Sequence, residues 1–319
     1  MDAEGYRSPS GLAGRTGLFF KGMAMGAADS IPGVSGGTIA FITNIYEELI
    51  FSIQSVNFRA LKVLLDKGLA AFWQHINGSF LLILGVGIVL SLKLFAGVVL
   101  YLLENFQPQL LSFFCGLILA SCWYMQEQIK SWQFRNMVLL LVGTIFAVSL
   151  ALIPQGSGSL SLVYLFFCGA IAICAMILPG ISGAFILILL GAYETVLGAL
   201  NALQLDIIAV FVAGCGCGLI AFSNLLAYLF RHWRSDTLSL LLGILAGSLY
   251  SIWPWKTPKL EAVNANGEIE VLTWQNILPG EFARLNNVEV SVMLALILMI
   301  GGFVLVYGLE KLAGKSHKT

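Results

Sequence analysis

Two copies of one phrase, Pro32-Gly33-Val34-Ser35-Gly36 and Pro179-Gly180-Ile181-Ser182-Gly183, stand 147 positions apart inside apolar sequence. Proline removes a backbone donor and glycine loosens the chain, so each copy stops one helix and starts another. A new helix begins with unpaired N–H groups and the positive end of its dipole. At membrane depth such backbone persists only where it is buried in protein or lines a wet cavity. The chemistry that fits is anion binding, phosphate above all. Ser35, Thr38 and Ser182 supply hydroxyl donors, with Ser30 beside them, while Gly33, Gly36, Gly37, Gly180 and Gly183 allow close approach. The bland alternative is that Pro and Gly only kink packed helices.

Ionisable groups inside a membrane are costly and usually functional. Asp29 sits three residues before Pro32, and Met176 takes its place in the second copy. It is a candidate for binding a coupling cation or proton, or for holding the tip through backbone N–H groups. Tyr46-Glu47 and Tyr193-Glu194 occupy equivalent positions late in the outgoing half-helices, where gating or proton transfer stands beside a solvated or structural role. Lys93, central in its apolar stretch, is a candidate partner for a carboxylate or a substrate phosphate; Lys21, nearer an end, snorkels. The six cysteines all fall in apolar stretches and His75, His232 and His317 lie far apart, so neither a metal site nor a cofactor is expected. No Gly-x-x-x-x-Gly-Lys-Ser/Thr loop is present, so any driving force is an ion gradient, the membrane potential or a lipid gradient.

The elements that position these residues come from a repeat. Of the 33 positions from 18 to 50, 12 are identical to their partners 147 residues later, and the offset then falls to 127, pairing Tyr101 with Tyr228 and Gly116 with Gly243. Two diverged halves, about 1–156 and 157–319, follow from that alignment. With 58% apolar and 11% charged residues and no net charge, the chain is a polytopic membrane protein, and nucleic acid is excluded as a partner. Apolar stretches long enough to span a bilayer run about 79–103, 110–124, 137–153, 207–230, 238–253 and 290–307.

Basic residues set the topology. If the segments at about 17–50 and 164–197 are re-entrant hairpins, then Arg7, Arg15, Lys21, Arg59, Lys62, Lys67, Lys130, Arg135, Arg231, Arg234 and the C-terminal lysines all fall on the cytoplasmic side. Each half then has one hairpin and three crossings, and the odd number of crossings inverts the second copy. The expected fold is an all-α integral membrane protein with an inverted-topology repeat, two re-entrant hairpins, about six full transmembrane helices, and both termini cytoplasmic. Residues 57–73 read as an amphipathic interfacial helix, and the external loop at about 255–288 carries alternating stretches around Asn266-Gly267 that suggest a β-hairpin.

The run Gly26-Ala27-Ala28-Asp29-Ser30-Ile31-Pro32-Gly33-Val34-Ser35-Gly36-Gly37-Thr38, together with Leu178-Pro179-Gly180-Ile181-Ser182-Gly183, resembles the PopT family of bacterial polyprenyl-phosphate transporters over nearly the whole chain. The resemblance implies a carrier, not an enzyme, that returns undecaprenyl phosphate across the bacterial cytoplasmic membrane for cell-envelope synthesis. Undecaprenyl-diphosphate phosphatases are similar in having a Pro-Gly-x-Ser tip. Theirs continues with arginine, where this chain has Gly36-Gly37 and Gly183, and their glutamates are spaced where Glu47-Glu48 are adjacent. A transporter or channel for a soluble anion is the other alternative, and a homo-oligomer through glycine-rich faces stays open.

Overall fold

A computed structural model describes residues 11–29, 35–129, 132–153, 161–263, 269–287 and 290–316. Thirteen helices and two strands are present among them. The first half contains α1 (Leu12–Asp29), α2 (Gly36–Ile42), α3 (Tyr46–Ser55), α4 (Phe58–His75), α5 (Gly78–Glu127) and α6 (Phe134–Leu152). The second contains α7 (Leu162–Ile177), α8 (Gly183–Leu189), α9 (Tyr193–Asn201), α10 (Leu205–His232) and α11 (Arg234–Ser251). The strands β1 (Lys256–Val263) and β2 (Ile269–Asn276), α12 (Pro279–Asn286) and α13 (Val292–Ser316) complete it.

Helix breaks recur with the sequence repeat. α2 and α8 begin and end 147 positions apart, and α10 matches the part of α5 before its bend at Phe106 with an offset of 127. Pro108 accounts for that bend, because it cannot donate to the preceding turn.

Helix pairing follows glycines that let backbones meet. α1 lies along the first part of α5 and α7 along α10. A Cβ on Gly22 would meet the Leu84 carbonyl at 2.4 Å, and one on its equivalent Gly169 would meet that of Phe211 at 2.5 Å. The last helices are exchanged: α13 packs on the second part of α5, and α6 on α11. There a Cβ on Gly116 would come within 1.9 Å of the Met299 carbonyl, and one on Gly243 within 2.0 Å of that of Leu140.

Among the described residues four helical stretches are apolar and long enough to cross a membrane, and the bent pair α8–α9 raises the number to five. The protein is a mostly helical, multi-pass membrane protein. Of the six expected spans, α11 is less apolar than these four because it carries Arg234, Asp236 and several hydroxyls. It is a central helix, with Leu238, Leu241 and Leu245 buried, and it packs against α6 and α5. The apolar part of α13, Val292–Gly308, is shorter than a full span.

α4 is amphipathic as expected, with Asn57 capping its first turn and Phe58, Leu61, Leu65 and Leu69 exposed along one side. It is interrupted at Gly68, whose φ of 79° suits a residue without a Cβ. The strands pair antiparallel, and the turn at Asn266-Gly267 lies outside the described residues.

Candidate functional site

The two tips meet each other in the interior. Ser35 is the N-cap of α2: its Oγ accepts the Gly37 N–H at 3.1 Å and donates toward the carbonyls of Met176 (3.1 Å) and Leu178 (3.2 Å) at the end of α7. Thr38 Oγ1 accepts the Gly180 N–H at 2.9 Å. Ser35, Thr38 and Ser182 are all buried. Gly180 has a φ of +87°, and a Cβ there would meet Ser248 Oγ at 2.9 Å, so this turn requires glycine.

Asp29 closes the first tip. Its Oδ1 accepts the Gly36 N–H at 2.6 Å, which places a carboxylate where the dipole of a new helix favours an anion. A Cβ on Gly36 would lie 2.5 Å from Asp29 Oδ2, so glycine is what lets that carboxylate seat. Gly37 is equally confined, its Cβ position lying 2.5 Å from the Ile177 carbonyl. With the Thr38 N–H bonded to the Ser35 carbonyl at 2.9 Å, the first three donors of α2 are all occupied. The expectation that both tips present unpaired N–H groups is therefore corrected at the first tip. The second differs: Ser182 stands at the N-cap of α8 with no side-chain bond to the helix, and Met176 offers no carboxylate. A Cβ on Gly183 would meet the Ala172 carbonyl at 2.8 Å, so here too the glycine permits close packing. Ser30 and Gly33 lie outside the described residues.

The outgoing arms are not single half-helices as expected. α2 stops at Thr43 and α8 at Leu190, in matching turns where Asn44 (φ 56°) and Gly191 (φ 62°) take the left-handed conformation. Ile45 N–H bonds to the Ala40 carbonyl and Ala192 N–H to that of Leu187, both at 2.9 Å, the six-to-one bond of a Schellman turn. After the break α9 turns 114° away from α8. Tyr46 and Glu47 accordingly open a separate helix instead of sitting late in one.

Side chains on the incoming helices hold these turns. Lys21 Nζ donates to the Thr43 carbonyl at 2.8 Å, so it caps a helix end. In the second half Tyr164 Oη donates to the equivalent carbonyl, that of Leu190, at 2.6 Å.

The remaining expected site residues are spread out. Lys93 lies on the exposed side of α5, and among the described residues no hydrogen bond or ion pair joins it to the tips. Ser91 on the buried side was not singled out by sequence; its Oγ is buried and unpartnered, and its Cβ is 3.0 Å from the Cβ position of Gly26, one turn before Asp29. Glu47 Oε1 accepts from Arg234 Nη2 at 2.8 Å and Nε at 3.0 Å, joining α3 to the second half. Tyr46 is buried against Phe41 and Phe230, whereas Tyr193 and Glu194 are exposed. Among the described residues no group of three His, Cys, Asp or Glu is placed to hold a metal.

Comparison with known proteins gives these features a setting. Residues 25–270 match a family model described as undecaprenyl phosphate translocase-like. A polyprenyl-phosphate transporter of Vibrio cholerae serotype O1 is 45% identical over 308 residues, covering 95% of this chain and all of that relative. A polyprenyl-phosphate transporter of Staphylococcus aureus is 31% identical over 253 residues, 73% of this chain and 84% of its own. No solved structure matches.

Proposed function

The chain belongs to the undecaprenyl phosphate translocase-like family, and from that premise we propose that it carries polyprenyl phosphate across the bacterial cytoplasmic membrane without hydrolysing it. The observation that carries the site assignment is the pair of tips, whose hydrogen bonds to each other among the described residues use backbone and hydroxyl groups: Ser35 to Met176 and Leu178, and Thr38 to Gly180. A phosphate can take over the two donors in these bonds, the Ser35 hydroxyl and the Gly180 N–H, since groups that now serve carbonyl and hydroxyl oxygens also serve phosphate oxygens. The tip sequences at 26–38 and 178–183 contain no arginine to stabilise charge on a transferring phosphoryl group, which fits carriage instead of cleavage.

In this reading the halves at 1–156 and 157–319 are an inverted repeat, with both termini cytoplasmic and the tips meeting near the midplane. Ser182 and Gly183 receive the phosphate first, because the second tip has no built-in anion. The first tip joins when Asp29 releases the Gly36 N–H on binding a proton or cation, so that loading and coupling are one event. Ser35 and Thr38 then turn from the second tip to the substrate. The lipid tail stays in the bilayer throughout, and rocking of one half against the other exposes the tips to each side in turn.

The test is reconstitution into liposomes carrying polyprenyl phosphate, with phosphate on the outer leaflet scored by an impermeant reagent. Exchange between leaflets well above that of protein-free liposomes is expected, and equal rates overturn the transport claim. Uptake of inorganic phosphate in place of lipid exchange identifies a soluble-anion carrier. Release of phosphate from polyprenyl diphosphate identifies a phosphatase.

A further inference from the structure

The repeat places one Tyr-Glu pair in each half, yet the two pairs are in opposite situations. On α3, Tyr46 is 2% exposed and Ile50 fully buried; on α9, their equivalents Tyr193 and Leu197 are 37% and 45% exposed. α3 lies along α10, with the Tyr46 ring 6.1 Å from that of Phe230. Glu47 is held by Arg234, Gln54 Oε1 accepts from Arg231 at 2.9 Å, and the Arg231 guanidinium stands 5.2 Å over the Phe51 ring. Among the described residues α9 has no comparable packing along α5.

The repeat also says what α9 would meet there. The positions on α5 equivalent to Phe230 and Arg234 are Leu103, which is half-buried, and Gln107, which is exposed. Crevices flank this stretch on the side of α12 and α13: one of about 400 Å³ lies between Leu102, Phe106 and Leu298, and one of about 380 Å³ between Gln107, Phe282 and Ala295.

We propose that the Tyr193-Glu194-Leu197 face of α9 is a docking surface for the stretch of α5 around Leu103 and Gln107, engaged in the alternate conformer of the cycle when α3 leaves α10. The proposal rests on the transport reading above and names its gates: one end of the bundle is sealed by α3 on α10, the other would be sealed by α9 on α5. The two seals are chemically unequal. Glu47 meets an arginine and gains a charge-assisted pair, whereas Glu194 would meet only the amide of Gln107, a weaker partner. Lipid tails are as apolar as the side chains they would displace, so Tyr and Leu burial gives little preference and the polar partner decides which end closes. That inequality accounts for the seal present in this structure.

The experiment needs no lipid substrate. In full-length protein reconstituted into vesicles, Tyr193→Cys should react readily with a maleimide, above the background of the parent and its native cysteines. Adding Gln107→Arg, a change at an exposed position, supplies the missing charge and should slow that reaction about fivefold, the population shift one added ion pair brings. Arg234→Gln, which loosens the opposite seal, should slow it in the same direction. Reactivity unaffected by Gln107→Arg overturns the docking proposal and assigns Tyr193 to a permanently open face. Because the readout is accessibility, failure of docking leaves the transport reading standing, and failure of the transport reading is read separately, in lipid exchange.

Discussion

Replacing Asp29 by asparagine separates two roles that the first tip combines. The carboxylate accepts the Gly36 N–H at 2.6 Å, occupying the donor that the proposed phosphate needs. Asparagine keeps the shape and an accepting oxygen but removes the charge. A hydrogen bond to a charged group contributes about 1.5–3 kcal/mol and one between neutral groups about 0.5–1.5 kcal/mol. The midpoints differ by about 1.3 kcal/mol, which is nearly tenfold in an equilibrium constant. Since the incoming phosphate competes with this bond, Asp29→Asn should bind polyprenyl phosphate about tenfold more tightly. It should also lose any acceleration of lipid exchange by an imposed proton or cation gradient, because the coupling carboxylate is gone. Equilibrium binding of radiolabelled polyprenyl phosphate to protein in detergent reads the first effect, and exchange in liposomes with and without a gradient reads the second. Weaker binding by Asp29→Asn would refute the competition argument, and a retained gradient response would remove Asp29 from coupling.

Ser35→Ala removes an N-cap and strands backbone groups of both tips, so it should cost about 1–2 kcal/mol on thermal unfolding. Ser182→Ala, at a cap that makes no side-chain bond, should leave stability nearly unchanged while lowering lipid-phosphate affinity; equal melting losses from the two would contradict the asymmetry of the tips. Gly180→Ala must hold a φ of +87° with its Cβ 2.9 Å from Ser248 Oγ, and should lower stability by about 2–3 kcal/mol, a loss that thermal melting would fail to show if the turn can reshape. Lys256, at the start of β1 outside the membrane spans, is pushed down to about 8 by burial. The unfolded chain then holds a proton that the folded one lacks between about pH 8 and 10.5, so stability should rise with pH across that window. Melting curves of the parent against Lys256→Met should differ in this rise, and parallel curves would refute it.

What the sequence made legible is what repetition and local chemistry record. The breaks before Gly36 and Gly183 were readable from Pro, Gly and Ser, and the β-strands from alternation. The turns at Asn44 and Gly191 were readable in principle, since both residues tolerate the left-handed conformation at equivalent positions, but the apolar run on either side suggested one continuous helix. Contacts such as Ser35 to Leu178 or Glu47 to Arg234 were not legible, because they join segments 143 and 187 residues apart. A repeat predicts that two parts resemble each other and leaves open which surfaces they share. Asp29 shows the limit most clearly: its presence at one tip was evident, but only the Gly36 bond shows that it occupies the position an anion would take.

The most direct test of the central claim is leaflet exchange of polyprenyl phosphate in liposomes containing Ser35→Ala/Ser182→Ala, set beside the parent at equal reconstitution. If the paired tips hold the phosphate, the double variant inserts and remains folded but exchanges lipid phosphate little faster than empty liposomes. Parental exchange by that variant would place the phosphate elsewhere in the protein.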